Sequence, residues 1–502
     1  MRFSLSCQMI LSRELKGVDV GQLMADSKEI LGKGAPDGKG AVIEGWSATG
    51  DRIDLEITSG RYVRPHDAVF RLRNFLSQHL GRTHHIGVRE ISASEYIIKF
   101  ELDNEANAPI NIPFAREVEF KGGECTLILR DLDEEFLRRN YVDRMINLVR
   151  EKVEEQHYKG KTEHWEKLWQ SEAKQHVWDK DPSSEMAKRN WIKHRGRGQW
   201  IFGPTPTRIM RVMEDIIWEE LLAPMGFDEV IIPKAVTWDV WMKSGHARNL
   251  YPEIYYLCPP KSRDKGFWEE VIDLYKITGE VPRKLIKEKI KEPIGGVCYA
   301  QCPPFWPYLE GKTLADDGLP LKVFDRSGTS MRYESGGIHG IERVDEFHRI
   351  EIIWVGTPEQ VRKLHQKIVD RYKKIFNEIL ELEWRMAWVT PWFMAQEGLH
   401  GLAGEGKERD VGTIDFEVYL PYRGSRDESE WLEFQNASNN GDKYPQGFNV
   451  KARRGGLWSG CTGIGLERWL VAFLAQKGMD PKKWPPGFRE RVGKLPREIR
   501  FL

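Results

Sequence analysis

Hydrophobic and polar residues alternate in short runs through the first 130 positions, which predicts strands at 2–10, 41–46, 52–58, 86–90, 95–102, 116–120 and 125–129. Turns at Thr49-Gly50-Asp51 and Lys121-Gly122-Gly123 join neighbouring runs as hairpins. Helical spacing replaces the alternation at 20–31 and 65–80, with Pro65 in a first turn. Hairpin strands interrupted by helices make an α+β domain on an antiparallel sheet. Residues 133–158 read as one long charged helix, and 176–200 as polar, irregular chain. The domain limits that follow are 1–165, a linker at 166–202, and a second domain at 203–502.

From Gly203 the spacing changes. An amphipathic helix over 207–222 leads through Gly226 to a strand at 229–233 that ends in Pro233. A charged helical insertion, 264–292, separates Tyr256 from a strand at 296–302; a lid, an RNA-contacting element and a plain surface excursion are its three readings. Next comes a hairpin over 324–356, with Arg332 and Glu334 on the entering limb, a loop at 335–345 and a returning strand at 346–354. A helix at 358–382, a glycine-rich loop at 392–411, strands at 415–420, 431–438 and 457–463, and a helix at 466–475 complete the chain. So many strands in hairpin pairs predict a large antiparallel sheet covered by helices, not a parallel doubly wound fold.

The hairpin carries the chemistry. Side chains alternate across a strand, so Arg332 shares a face with Glu334, and Phe347 shares one with Arg349 and Glu351. Two guanidiniums, two carboxylates and a ring on one side suit a nucleotide, with phosphates on arginine and the base on the ring. The bland reading is a solvated, salt-bridged face. There is no GxGxxG turn and no Walker lysine, so no P-loop holds the phosphates.

Composition narrows the class. Lys+Arg and Asp+Glu both number 76 of 502 residues, so any basic surface is local. One such cluster, Arg61, Arg64, Arg71, Arg73, Arg82, His84, His85 and Arg89, surrounds the helix at 65–80 and suggests phosphate contact, against an exposed-face alternative. The six cysteines form no disulfide framework and no apolar signal segment opens the chain, which together predict a reducing cytoplasm. No run reaches the ~18 apolar residues of a membrane span.

Three stretches in this order resemble the signature motifs of class II aminoacyl-tRNA synthetases: Thr207 to Pro233, Arg332-Tyr333-Glu334 with Arg343 and Phe347, and Gly463-Ile464-Gly465-Leu466-Glu467-Arg468. TIDFEVYLP and WLEFQNASN resemble the seryl branch. FDRSGTSMRYESGGIHGIERVDEFHRIE, PIGGVCYAQCPPFW and LWSGCTGIGLERW resemble the seryl-tRNA synthetases of methanogenic archaea, over nearly the whole chain and with no departure at the motif positions. The resemblance implies a class II antiparallel catalytic domain behind an N-terminal α+β tRNA-binding domain, a homodimer, and ATP-dependent transfer of L-serine to tRNA(Ser), with tRNA(Sec) as a further acceptor. It also implies roles. Arg332 would hold the α-phosphate, with Glu334 beside the reacting groups; Arg343 would reach the distal phosphates, with Tyr333 and Val344 in the same ATP pocket. Phe347 and Arg468 would sandwich adenine, and Glu433 would bind Mg²⁺. Cys302, Glu351 and Cys461 would bind one Zn²⁺ per subunit; Ala300, Arg349, Asn436 and Ser459 would line the serine pocket, and Gln396 would sit in a loop closing over serine.

Two thiolates and a carboxylate leave one tetrahedral position open, as catalytic zinc requires. The plain alternative is a pair of buried thiols. Cys298 is a rival ligand, since four residues before Cys302 on one strand it would point the same way. His339 and His348 read as structural, with no histidine placed as a general base. Two other functions compete: a synthetase-like ligase that loads a carrier protein, against which the basic N-terminal domain argues, and a catalytically dead RNA-binding protein, against which intact Arg332, Glu334, Glu433 and Arg468 argue.

Overall fold

In the computed structural model, which describes residues 1–157, 165–176, 178–334, 337–389 and 411–499, the chain divides into Met1–Thr162 and Glu163–Leu502. The alternating runs of the first unit form β1 (Arg2–Leu11), β2 (Val42–Thr49), β3 (Arg52–Gly60), β4 (Val88–Glu101), β5 (Glu117–Lys121) and β6 (Glu124–Leu132). They pair in the order β2-β3-β1-β4-β6-β5, every pair antiparallel. Phe3, Leu5, Cys7, Met9 and Leu11 of β1 are buried, and the residues between them are not. They share a core with Leu72, Leu76 and Leu80 of α1 (Pro65–His84) and with Ile146, Val149 and Val153 of α2 (Tyr141–His157). Removing one such fully buried leucine, Leu76→Ala, costs ~2–5 kcal/mol.

Two local expectations change. The strands expected at 86–90 and 95–102 are one strand, because no breaker interrupts pairing with β1, only register shifts at Ser6/Cys7 and Ile10/Leu11. The helix expected at 133–158 is interrupted, with Glu134–Arg138 capped by Asp133 and followed at Arg139 by extended backbone before α2.

In the second unit, α3 (Pro204–Ile217) runs on through a π-helical turn, Trp218–Leu222, to Gly226, whose positive φ of 67° ends it. Its apolar face, Ile209, Val212, Met213, Ile216 and Ile217, is buried in the unit's own core. The expected strand at 229–233 shrinks to β8 (Asp228–Glu229), paired in parallel with β9 (Leu321–Asp325). Then follow β10 (Thr329–Met331), β11 (Glu346–Gly356), α4 (Pro358–Lys374), β12 (Trp384–Val389), β13 (Gly412–Val418), β14 (Leu432–Gly441), β15 (Trp458–Gly465) and α5 (Leu466–Lys477). The main sheet orders them β8-β9-β11-β15-β14-β13-β12, with β10 paired to β11. α3, α4 and α5 share one core with this sheet.

Residues 166–202, expected as a linker, instead contribute structure. Trp165–Gln170 is an edge strand, β7, on β12. The hairpin Ile192–Gly196/Gln199–Phe202 abuts the start of β11, where the Gly198 carbonyl accepts from Asp345 N at 3.0 Å. Gly198 has φ +54° and a Cβ there would lie 2.3 Å from Asp345 N, so only glycine fits. The insertion forms two helices, Lys265–Thr278 and Arg283–Lys289, neither with a buried residue.

Candidate functional site

Strand alternation brings the site together. β11 supplies Phe347 and Arg349, with Glu351 further along the same face; β15 supplies Cys461, Gly463 and Gly465; β14 supplies Asn436, Ser438 and Asn440. Ala300 and Cys302 come from the chain entering the turn Pro303–Tyr308, Arg332 and Glu334 from beyond β10, and Arg468 from the first turn of α5. With Val344 and Glu433, all of these but Glu351 line a cavity of about 240 Å³; Glu351 lies behind Arg349 on the same strand face.

At one end, one ligand atom each of Cys302, Glu351 and Cys461 lie within 4.8 Å of one another. Glu351 is 0 % exposed, and its Oε2 accepts from Arg349 Nε at 2.6 Å. Its Oε1 is buried with no hydrogen-bond partner among the described residues. Burial raises the Glu351 carboxyl pKa against the pull of Arg349. A hydrogen bond to Cys461, then burial, raises that of Cys302. A divalent cation reverses both tendencies by binding the deprotonated forms. Two sulfurs, one carboxylate and an orphaned carboxylate oxygen fit zinc with an open position. Cys298 is not in the cluster: it lies just past the short strand Gly295–Val297 and donates to the Ala300 carbonyl at 3.0 Å, while Cys302 begins a tight turn. The two cysteines do not share a strand, so the alternation that made them rivals does not apply.

Arg349 is held by Glu351 and, at 3.3 Å, by the Tyr299 carbonyl. Burial opposes its charge, yet Glu351 and the thiols keep its pKa raised. It passes over Gly463, where a Cβ would meet Arg349 Nη2 at 1.9 Å.

The other end pairs its two arginines with carboxylates. Arg468 Nη1 donates to the Glu433 carbonyl at 2.8 Å and to Glu433 Oε2 at 3.1 Å, and its Nε donates to the Glu342 carbonyl at 3.1 Å. Arg332 Nη2 donates to Glu253 Oε1 at 2.7 Å, and Arg332 Nε is buried without a partner among the described residues. Asn436 Nδ2 approaches Glu433 Oε1 at 3.5 Å.

Four expected residues among those described do not line this cavity: Tyr333, Arg343, Glu351 and Ser459. Tyr333 lies under the Arg197 guanidinium at 3.7 Å, and Arg343 pairs with Glu430 at 3.2 Å. Ser459 shares the β15 face of Cys461 farther along the strand. Gln396 lies outside the described residues. Several residues escaped the sequence reading. Arg197, in the supposed linker, pairs with both oxygens of Asp345 at 2.6 and 2.5 Å and donates to the Glu334 carbonyl at 2.7 Å. Asp345, 0 % exposed, also accepts from the Tyr255 hydroxyl and from Glu334 N. This network sets the backbone of Arg332 to Glu334, and only the flanking Gly198 hinted at it.

Residues 1–151 match the tRNA-binding domain family, and residues 300–477 match the tRNA synthetase class II core domain (G, H, P, S and T). The chain is 55% identical over 514 residues to the type-2 serine–tRNA ligase of Methanothrix thermoacetophila, with 100% of each chain covered. The chain belongs to the type-2 serine–tRNA ligases. The ligase of Methanopyrus kandleri is 34% identical, covering 98% of this chain and 96% of that one. Among solved structures, M. kandleri SerRS in complex with A. aeolicus tRNASec superposes with a TM-score of 0.89 at 32% identity, over 100% of this chain and 99% of that one. The ligase therefore has the class II core and the N-terminal tRNA-binding domain that its motifs implied, and a carrier-protein ligase is not favoured. Among the described residues no helix is long and apolar enough to cross a membrane.

Proposed function

We propose that this ligase activates L-serine with MgATP in the cavity and esterifies the product to the 3′ end of tRNA(Ser). The observation that carries this reading is one cavity lined by Arg332, Phe347 and Arg468 and also by Cys302 and Cys461, whose donor set Glu351 completes. Arg332 takes the α-phosphate in exchange for Glu253, satisfying its orphaned Nε. Phe347 and Arg468 hold adenine beside Val344, and Glu433 would take Mg²⁺; Arg343, outside the cavity lining, reaches the distal phosphates, and Tyr333 belongs to the same ATP site. Arg349, with Ala300 and Asn436 on the lining and Ser459 farther along β15, orients serine so that its carboxylate attacks in line, with Glu334 beside the reacting groups. That attack forms the bond to the α-phosphorus and expels pyrophosphate, and Arg332, with the Mg²⁺ that Glu433 would hold, offsets the charge. The terminal ribose hydroxyl then attacks the seryl carbonyl, AMP leaves, and the adenylate phosphate takes the proton. Cys302, Glu351 and Cys461 would hold one zinc per subunit, which would supply a Lewis acid for the serine amino group.

Residues 1–165 bind tRNA, in a cytoplasmic enzyme. The M. kandleri complex with tRNASec supports tRNA(Sec) as a second acceptor. A homodimer belongs to the same reading; since the α3 apolar face packs internally, sedimentation of the active protein is its test. The central experiment is ATP–pyrophosphate exchange with serine, followed by serylation of tRNA(Ser). Exchange with serine and transfer to tRNA are expected; serine-independent exchange, or transfer to a carrier protein instead, overturns the reading.

A further inference from the structure

Each donor of the proposed metal set has one more contact. Glu351 Oε2 accepts from Arg349 Nε at 2.6 Å. Cys302 Sγ lies 3.2 Å from the Tyr444 hydroxyl, and Cys461 Sγ accepts from Asn440 Nδ2 at 3.4 Å. Arg349 already has a role with serine, whereas Tyr444 and Asn440 have none. Both come from one segment. Asn440, 4 % exposed, is the last residue but one of β14, before Gly441 turns the chain at φ +58°. Tyr444 follows in the short helix Lys443–Gly447. Its ring is 2 % exposed and lies between Trp306, at 5.5 Å and 18°, and the buried His246, at 6.4 Å and 15°. Such a ring is held in one orientation, and its hydroxyl is delivered to sulfur rather than to an oxygen.

A neutral thiol is a weak partner for a buried phenol, but a thiolate accepts a charge-assisted hydrogen bond. When a metal holds Cys302 and Cys461, neither sulfur carries a proton, so Tyr444 and Asn440 must be the donors. Three anionic ligands around a divalent ion leave one net negative charge, which weakens the ion's grip on a neutral amine. Donors placed on the sulfurs draw part of that charge away. We propose that Tyr444 and Asn440 are positioning residues of the metal centre, fixing the two thiolates by hydrogen bonds and keeping the ion acidic enough to take the serine amino group. This rests on the zinc assignment above.

The test uses the full chain, stripped with chelator and reloaded with cobalt(II) or zinc. Losing a donor raises the energy of the sulfur lone pair, so Tyr444→Phe and Asn440→Ala are each expected to move the sulfur-to-cobalt charge-transfer band to lower energy. Competition with a chromophoric chelator should show zinc held roughly 10- to 100-fold more weakly. A purely structural role for the ring would leave the band in place, because Tyr444→Phe keeps the stack. A Tyr444→Phe protein with unchanged band and affinity overturns the proposal for that residue; if it does not fold, Asn440→Ala gives the same readout. Cys302→Ser separates the two levels. If it keeps the parental cobalt spectrum, the metal assignment itself falls; if it loses the band while Tyr444→Phe and Asn440→Ala match the parent, only the hydrogen-bond proposal falls.

Discussion

Replacing Gly463 by Ala tests the serine pocket with a single methyl. The Cβ would lie 1.9 Å from Arg349 Nη2 and 2.3 Å from Cζ, so the guanidinium must retreat by about 1.5 Å to reach ordinary contact. It is not free to do so, being held by Glu351 at 2.6 Å and the Tyr299 carbonyl at 3.3 Å. Gly463 does not sit in the left-handed region, so the backbone tolerates alanine and the clash is the whole effect. A misplacement of ~1 Å in a positioning group costs ~100-fold in rate, about 2.7 kcal/mol. ATP–pyrophosphate exchange should therefore show serine kcat/KM lowered by roughly that factor, with zinc content retained. Gly456→Ala is the control, since its Cβ meets nothing within 4 Å. A folded Gly463→Ala enzyme with parental serine kcat/KM refutes the role given to Arg349.

Elemental analysis should find one zinc per chain, and a Cys302→Ser, Cys461→Ser double variant should hold none; retained zinc would require other ligands. In the first unit, Arg73 pairs with Glu134, which also accepts from Ile91 N, so Arg73→Ala should cost ~1–3 kcal/mol of stability, read by denaturant unfolding, rather than act on tRNA directly. The exposed Arg82 and Arg89 are the better phosphate probes: replacing both by Ala should raise the KM for tRNA and lower its salt slope by roughly one for each phosphate left without its arginine, with pyrophosphate exchange untouched. Glu467 hydrogen-bonds His348 and raises its pKa, so that pair stabilises fully below about pH 6.5, the ordinary histidine value, and the gain is lost as pH rises through the higher folded value. His348→Gln should accordingly lose more stability at pH 6 than at pH 9 in chemical denaturation, and an equal loss at both would exclude the linkage.

Local periodicity determined most of the elements. Alternation is a property of each strand by itself, so the shared face of Phe347, Arg349 and Glu351 was legible before any partner strand was known. The resemblance carried by Arg332, Glu334 and Arg468 likewise pointed to one cavity, and the structure brings them there. What alternation cannot supply is the neighbour. Whether Cys298 or Cys302 joins Glu351 depended on where a strand stops and a turn begins, which pairing partners decide. Arg73 became a structural pair because Glu134, distant in sequence, lies against it. The amphipathic spacing of 207–222 did not say what its apolar face meets, and the chain's own core takes it. Arg197 and Asp345, which set the backbone that presents Arg332, are ordinary polar letters in the sequence. Burial and a distant partner give them their role, and tertiary structure alone supplies both.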